Sequence, residues 1–200
     1  MLLNRIEYAL MNNAVRAAIQ RHVEARGLLR MGGAMRGGRA LEIGCGRGVG
    51  TELVLEVFGA DTVDAFDLDP RMVALAQRRL ARFGSRVRLW VGDASAISTP
   101  DAAYDAVVDF GIIHHVPEWR RAVAEVHRVL RPGGQFYAEE VLRSFIVHPI
   151  IRRVLEHPQD DRFDSAGFEQ GLRGAGFEPS TTKELFGAIA WFTARKPVAA

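Results

Sequence analysis

The amino-acid sequence predicts one α/β domain: a mostly parallel sheet with helices on both faces, an antiparallel hairpin at its C-terminal edge and a helical cap at its N-terminus. Three features carry this expectation. Short apolar runs alternate with helix-period segments from residue 39 to residue 140. Those runs are short and mostly apolar, as strands buried on both faces require, whereas a half-solvated strand would alternate. Two last strand-like runs meet near Gly187, close enough to form a hairpin. At 200 residues the chain has the length of one ordinary domain.

Residues 2–25 show helical spacing, with Leu2, Ile6 and Leu10 followed by Val15, Ile19 and Val23. The phase slips around Asn12 and Asn13, so two short helices fit as well as one. Gly27 to Gly38 holds five glycines and two arginines and reads as a loop into the core. Ala40–Ile43 then reads as strand, Val49–Phe58 as helix and Val63–Phe66 as strand. Asp69 as N-cap and Pro70 at the first helical position open the next helix. Val87–Val91 and Ala106–Phe110 are strands, and Trp119, Val123, Val126 and Leu130 share one face of the helix after them. Pro132-Gly133-Gly134 stops that helix and turns the chain into a strand near Gln135–Ala138. Residues 164–175 are expected to be helical, and Glu184–Ile189 with Ala190–Ala194 to form the hairpin. The domain thus divides into an N-terminal cap and loop (1–38), a core (39–140), an apolar segment (141–162) and a C-terminal helix and hairpin (163–200).

Composition excludes several classes. With 48% hydrophobic and 25% charged residues, the chain is neither a disordered tail nor a fibre. Its single Cys allows no intrachain disulfide and no Cys-based zinc site, which fits a reducing cytoplasm. The balance of 26 basic against 24 acidic residues leaves a net charge of only +2. Arg78–Arg79, Arg120–Arg121 and Arg152–Arg153 fall in helix-like stretches and read as solvated faces, so nucleic acid is not implied. Glu7, Asn12 and Asn13 interrupt the apolar stretch that a signal peptide would need. No apolar run approaches the ~18 residues of a membrane span. A soluble, cytoplasmic protein is the expectation.

The most informative stretch is Leu41-Glu42-Ile43-Gly44-Cys45-Gly46-Arg47-Gly48-Val49-Gly50. Glycines after a strand let the backbone turn sharply and let a ligand approach the main chain. The dinucleotide pattern G-x-G-x-x-G fails in every register here, because Val49, Thr51 or Leu53 stands at its last position. No G-x-x-x-x-G-K-[ST] exists either. What stands is an acid followed by G-x-G-x-G, and Glu42 beside the loop suits a positively charged ligand better than a pyrophosphate. Asp67 ends the second strand, where a carboxylate accepts both hydroxyls of a ribose. Asp93 follows the third. Three acids at the ends of three consecutive strands make a site for a ligand rich in donors, although Asp67 and Asp93, like Asp69, also read as helix caps.

At this point the chain resembles the class I S-adenosylmethionine-dependent methyltransferases of the small bacterial methyltransferase-domain type. The residues that carry the resemblance span about 39–140. They are Ala40-Leu41-Glu42-Ile43-Gly44-Cys45-Gly46-Arg47-Gly48, Asp67-Leu68-Asp69-Pro70 and Gly92-Asp93-Ala94, then Tyr104-Asp105-Ala106-Val107-Val108, His114-His115-Val116-Pro117 and Val129-Leu130-Arg131-Pro132-Gly133-Gly134. The resemblance implies a Rossmann-like, seven-stranded sheet with its last strand antiparallel. It implies S-adenosyl-L-methionine as cofactor and S-adenosyl-L-homocysteine as product. Glu42, Gly44, Cys45 and Gly46 would line the methionine part, Asp67 would take the ribose hydroxyls, Leu68 would pack on the adenine, and Asp93 with Ala94 would contact the adenine edge. Asp109 and Phe110 would face the sulfonium.

Methyl transfer from a sulfonium is an in-line displacement, so the protein must chiefly align donor and acceptor and exclude water. A base matters only if the acceptor loses a proton as it attacks. His115 is the candidate base, though many such histidines pack or cap their loop instead. Glu139 and Glu140 end the fifth strand, within reach of an acceptor or on the surface. His114, His115, His148 and His157 have no metal-ligand spacing, so no metal is expected. The nine large apolar residues of 141–162 suggest a substrate lid and a small, partly apolar acceptor, or plain packing against the N-terminal helices. Other readings are a non-catalytic binding or partner module, an aminopropyl transferase using the same cofactor site, and a nicotinamide oxidoreductase, the last disfavoured by the failed glycine register. Monomer and homodimer are both compatible with the sequence.

Overall fold

The structure is a computed structural model that describes residues 13–147 and 161–198. It begins with α1 (Ala14–Ile19), whose first turn is capped by Asn13 Oδ1 accepting the Arg16 N–H at 2.8 Å. A wider-wound stretch, Gln20–Glu24, continues into α2 (Ala25–Gly32). Seven strands follow: β1 (Arg39–Ile43), β2 (Thr62–Asp67), β3 (Val87–Val91), β4 (Tyr104–Phe110), β5 (Leu130–Val141), β6 (Thr181–Leu185) and β7 (Ile189–Arg195). Their spatial order is β3-β2-β1-β4-β5-β7-β6. β1 to β5 pair in parallel, and β7 runs antiparallel to both β5 and β6.

Helices α3 (Val49–Leu53, continued by a wider turn, Val54–Phe58), α4 (Pro70–Leu80), α5 (Trp119–Val129) and α7 (Ser165–Gly174) flank the sheet, with the short α6 (Arg143–Ile146) after β5. The expected strands and helices of residues 39–130 are thus present. Strand alternation feeds two cores. Leu41, Ile43, Val107, Phe136 and Phe192 join Trp119, Val123 and Phe168 on one face. Ala40, Val108, Tyr137 and Trp191 join Leu28, Leu53, Phe58 and Leu80 on the other. Both faces of β1, β2 and β4 are covered, which is why their sequences run largely apolar without alternation, whereas the edge strand β3 is partly exposed.

Several boundaries differ from expectation. The glycine-rich stretch from Gly27 is helix as far as Gly32. The glycines serve close packing: a Cβ on Gly27 would meet the Trp191 ring at 3.0 Å, and one on Gly32 the Tyr137 ring at 2.5 Å. Leu130 starts β5 and does not end α5. The hairpin turns at Phe186–Ala188, so its strands stop at Leu185 and resume at Ile189. Val15, Ile19 and Val23 do share a helix face, but it is the exposed one, at 69%, 43% and 48% accessibility. Of the segment 141–162, Leu142 and Ile146 are buried. Residues 148–160, with His148, His157 and most of the expected lid, lie outside the described residues, as do 1–12. Among the described residues no helix is long and apolar enough to cross a membrane.

Candidate functional site

A cavity of about 470 Å³ opens at the carboxyl ends of β1, β2, β3 and β4. This is the edge where the strand order reverses, between β1 and β4, and where open parallel sheets bind ligands. The volume falls within the range of sites for small organic cofactors. Glu42, Gly44, Cys45, Gly46, Asp67, Leu68, Asp93, Ala94, Phe110 and His115 all line it. Asp109 does not. It lies one residue before Phe110 and so faces the other side of β4, fully buried, accepting the Ile112 N–H at 2.9 Å.

The glycine loop turns by left-handed backbone, with φ of +70° at Gly44 and +86° at Gly48. Gly44 also meets the turn after β4, since a Cβ there would stand 2.3 Å from Ile112 Cγ2. Asp67 braces the loop from β2, its Oδ2 accepting the Gly46 N–H at 2.9 Å and its Oδ1 the Asp69 N–H at 2.9 Å. A carboxylate has about four acceptor positions, so two remain for donors in the cavity. Asp69 caps α4, accepting the Arg71 N–H at 2.8 Å. Hydrogen bonds from the Arg71 side chain hold its carboxyl below the usual range. Asp93 accepts Ser95 N–H and Oγ–H, each at 2.8 Å. Leu68 is 45% exposed on the cavity wall, an apolar side chain in want of cover.

Glu42 is fully buried at the base of the loop, its Oε2 accepting the Thr51 hydroxyl. Burial pushes its carboxyl up to about 8, the Thr51 bond opposes this, and the negative charges of Asp67 and Asp109 add to it. The folded protein therefore holds a proton that the unfolded chain releases near 4.5, so stability falls as pH rises from about 4.5 to about 8. One such group contributes at most about 1.4 kcal/mol per pH unit. Urea melts across that window are expected to be steeper in pH for the wild type than for Glu42→Gln. Equal slopes would contradict the buried proton.

The histidines divide. His114 is buried, with Nδ1 2.6 Å from Glu140 Oε2. The Ile113 and His114 N–H groups also donate to Glu140, at 2.9 and 3.1 Å. Burial raises Glu140 to about 7, against the lowering effect of its hydrogen bonds with Asp109 and the Ile113 and His114 N–H groups. Glu140 thus fixes the turn Ile113–His115 from behind, and His115 alone of the two reaches the cavity. Glu139 is also interior: its Oε2 accepts the Trp191 Nε1–H at 2.7 Å, and burial pushes it up to about 8. Neither glutamate lines the cavity or lies on the surface, which corrects both expectations. Among the described residues no group of His, Cys, Asp and Glu is placed to hold a metal.

The N-terminal helical cap expected from the sequence supplies one wall, through residues that the sequence did not single out. Arg16, Ala17 and Gln20 line the cavity opposite the strand ends, and Arg47 of the loop joins them. Arg16 reaches there while ion-paired to Glu24 at 2.5 Å, and Arg47 Nη2 donates to the Asn13 carbonyl at 2.7 Å, tying α1 to the loop. No spacing rule links a helix so far upstream to the strand ends.

Residues 40–134 match the family model described as a methyltransferase domain. A probable S-adenosylmethionine-dependent methyltransferase of Mycolicibacterium smegmatis is 35% identical over 147 residues, covering 73% of this chain and 54% of that protein. A ubiquinone/menaquinone biosynthesis C-methyltransferase of Methylobacterium nodulans is 37% identical over 105 residues, 51% of this chain and 41% of that one. The chain spans about half the length, or less, of these curated relatives. Among solved structures, a SAM-dependent methyltransferase from Aquifex aeolicus superposes with a TM-score of 0.74 at 17% identity, covering 94% of this chain and 96% of that one. At that identity the likeness speaks for the fold alone.

Proposed function

Because the core of this chain, residues 40–134, belongs to the methyltransferase-domain family of class I S-adenosylmethionine-dependent enzymes, we propose that the protein transfers a methyl group from S-adenosylmethionine to a small, partly apolar acceptor. One observation carries the reading: Glu42, Asp67 and Asp93 converge with exposed Leu68 on one cavity at the ends of β1, β2 and β3. Asp67 keeps two acceptor positions for a diol, Leu68 offers a face for a purine, and the glycine loop lines the cavity beside them.

The bound cofactor supplies an activated methyl on a positively charged sulfur. The carboxylates on the cavity rim favour that charge in the ground state, so the transfer must draw on alignment and the exclusion of water. Phe110, Ile112, Val116 and Pro117 make the wall beyond the acids apolar. The quinone-pathway relative supports an acceptor of mixed aromatic and apolar character. His115, held by the turn that Glu140 anchors, takes the proton from an acceptor hydroxyl or enol. His115→Gln is then expected to lower kcat by about 10²- to 10⁴-fold, with S-adenosylhomocysteine affinity unchanged.

The test is transfer of a labelled methyl group to a panel of quinols, phenols and fatty acids, with water-soluble amines as the contrast. Labelling among the apolar acceptors is the expected result. Labelling of the amines alone would overturn the acceptor class while leaving the cofactor in place.

A further inference from the structure

Exposed apolar side chains collect at the end of the molecule where the cavity opens. The helix α1, which lines the cavity with Arg16, Ala17 and Gln20, turns Val15, Ile19 and Val23 outward. At the same rim α6 follows β5 and exposes Phe145 and Val147. The β6–β7 turn reaches that rim too, because Ile189 pairs with Val141 at the carboxyl end of β5. The Leu142 N–H donates to the Ala188 carbonyl at 2.8 Å and the Ser144 hydroxyl to the Gly187 carbonyl, which fastens α6 to the turn. At the tip Phe186 is 95% exposed on left-handed backbone, with φ +54°. A bulky aromatic in that conformation carries strain, and at this exposure the fold returns almost no packing for it. Single exposed apolar residues are ordinary, but six gathered at one end mark a contact surface.

The charges decide what that surface meets. From residue 13 to residue 38 five arginines stand against one acid, Glu24, which is buried. Glu24 takes Arg16, while Glu52 and Glu56 take Arg21. Arg26 and Arg30 extend the exposed side of the same helical run, and Arg143 stands exposed on α6. Among the described residues none of these three makes a hydrogen bond or an ion pair. Glu184, just before the turn, is engaged by the Ser165 hydroxyl at 2.5 Å. An apolar stripe bordered by free arginines is the pattern of a helix that lies in the headgroup layer of an anionic bilayer. We propose that this rim docks on an anionic lipid surface, with Phe186 and the outer face of α1 in the headgroup layer and the cavity mouth toward the bilayer. Where the acceptor is apolar, as proposed above, this orientation turns the cavity to the phase in which such molecules partition. Docking itself needs no turnover and stands apart from that reading.

The experiment is flotation of the purified protein with vesicles of phosphatidylcholine mixed with phosphatidylglycerol, and with vesicles of phosphatidylcholine alone. Binding to the mixed vesicles that weakens on phosphatidylcholine alone, and weakens again as salt rises, is the expected result. Phe186→Asn, which suits left-handed backbone, should lower affinity for the mixed vesicles by roughly ten- to a hundredfold. Replacing Arg26 and Arg30 together by Gln should lower it by about fivefold for each charge. Both variants are expected to melt no lower than the wild type and to keep its S-adenosylhomocysteine affinity. A folded wild type that ignores the mixed vesicles or binds both kinds equally, or variants that bind as it does, would overturn the docking. So would sedimentation that finds a dimer which Phe186→Asn dissolves, because the rim would then belong to a second copy of the chain.

Discussion

Asp67→Ala is expected to weaken S-adenosylhomocysteine binding by about 10²- to 10⁴-fold, the worth of two hydrogen bonds to a charged acceptor. The carboxylate plays two parts. It braces the glycine loop through Gly46 and opens α4 through the Asp69 N–H, and it lines the cavity. Truncation removes both, so the calorimetric loss needs a companion. Asp67→Asn keeps an oxygen for the loop and exchanges one acceptor for donors, and it should melt close to the wild type while still losing most of the affinity. A variant that melts normally and binds normally would show that Asp67 is a cap and nothing more.

The second large effect is on stability. Gly44→Ala forces a side chain onto backbone at φ +70° and drives its Cβ to 2.3 Å from Ile112. Left-handed backbone costs a non-glycine residue about 1–2 kcal/mol, and overpacking adds about 1–3 kcal/mol. In a chain of this length the sum lowers Tm by roughly 5–15 °C. Ile112 begins the turn that carries His115, so ligand affinity should fall as well. Gly46→Ala is the control, because its φ is +50° but a Cβ there meets nothing within 4 Å. It pays the backbone cost alone. Equal melting temperatures for the two variants would show that the contact with Ile112 does not constrain the loop.

The core strands and most of the site were legible because both follow from local rules. Strands buried on both faces write themselves as Ala40–Ile43 or Ala106–Phe110, and Glu42, Asp67 and Asp93, at or just after the ends of three of them, line the cavity. Failures came where tertiary contact overrode local chemistry. Gly27 and Gly32 look like loop residues, yet they are helical so that α2 can lie against Trp191 and Tyr137. Asp109 looks like a site residue by its place after the fourth apolar run, but strand parity turns it away beside Phe110. Glu139 and Glu140 read as solvent or substrate contacts. Their partners, Trp191 at 52 residues' distance and the turn at Ile113–His114, are fixed only by the fold. Arg16 gave no signal at all, because nothing in its own segment marks it as facing the strand ends.

The central claim is that this cavity binds S-adenosylmethionine and not a dinucleotide. Calorimetric titration of the purified wild-type protein with S-adenosylhomocysteine, with NADH as the parallel ligand, tests it most directly. Micromolar binding of S-adenosylhomocysteine and no heat from NADH is the predicted result. A folded protein that gives no heat with S-adenosylhomocysteine, or that binds NADH in its place, would contradict the account.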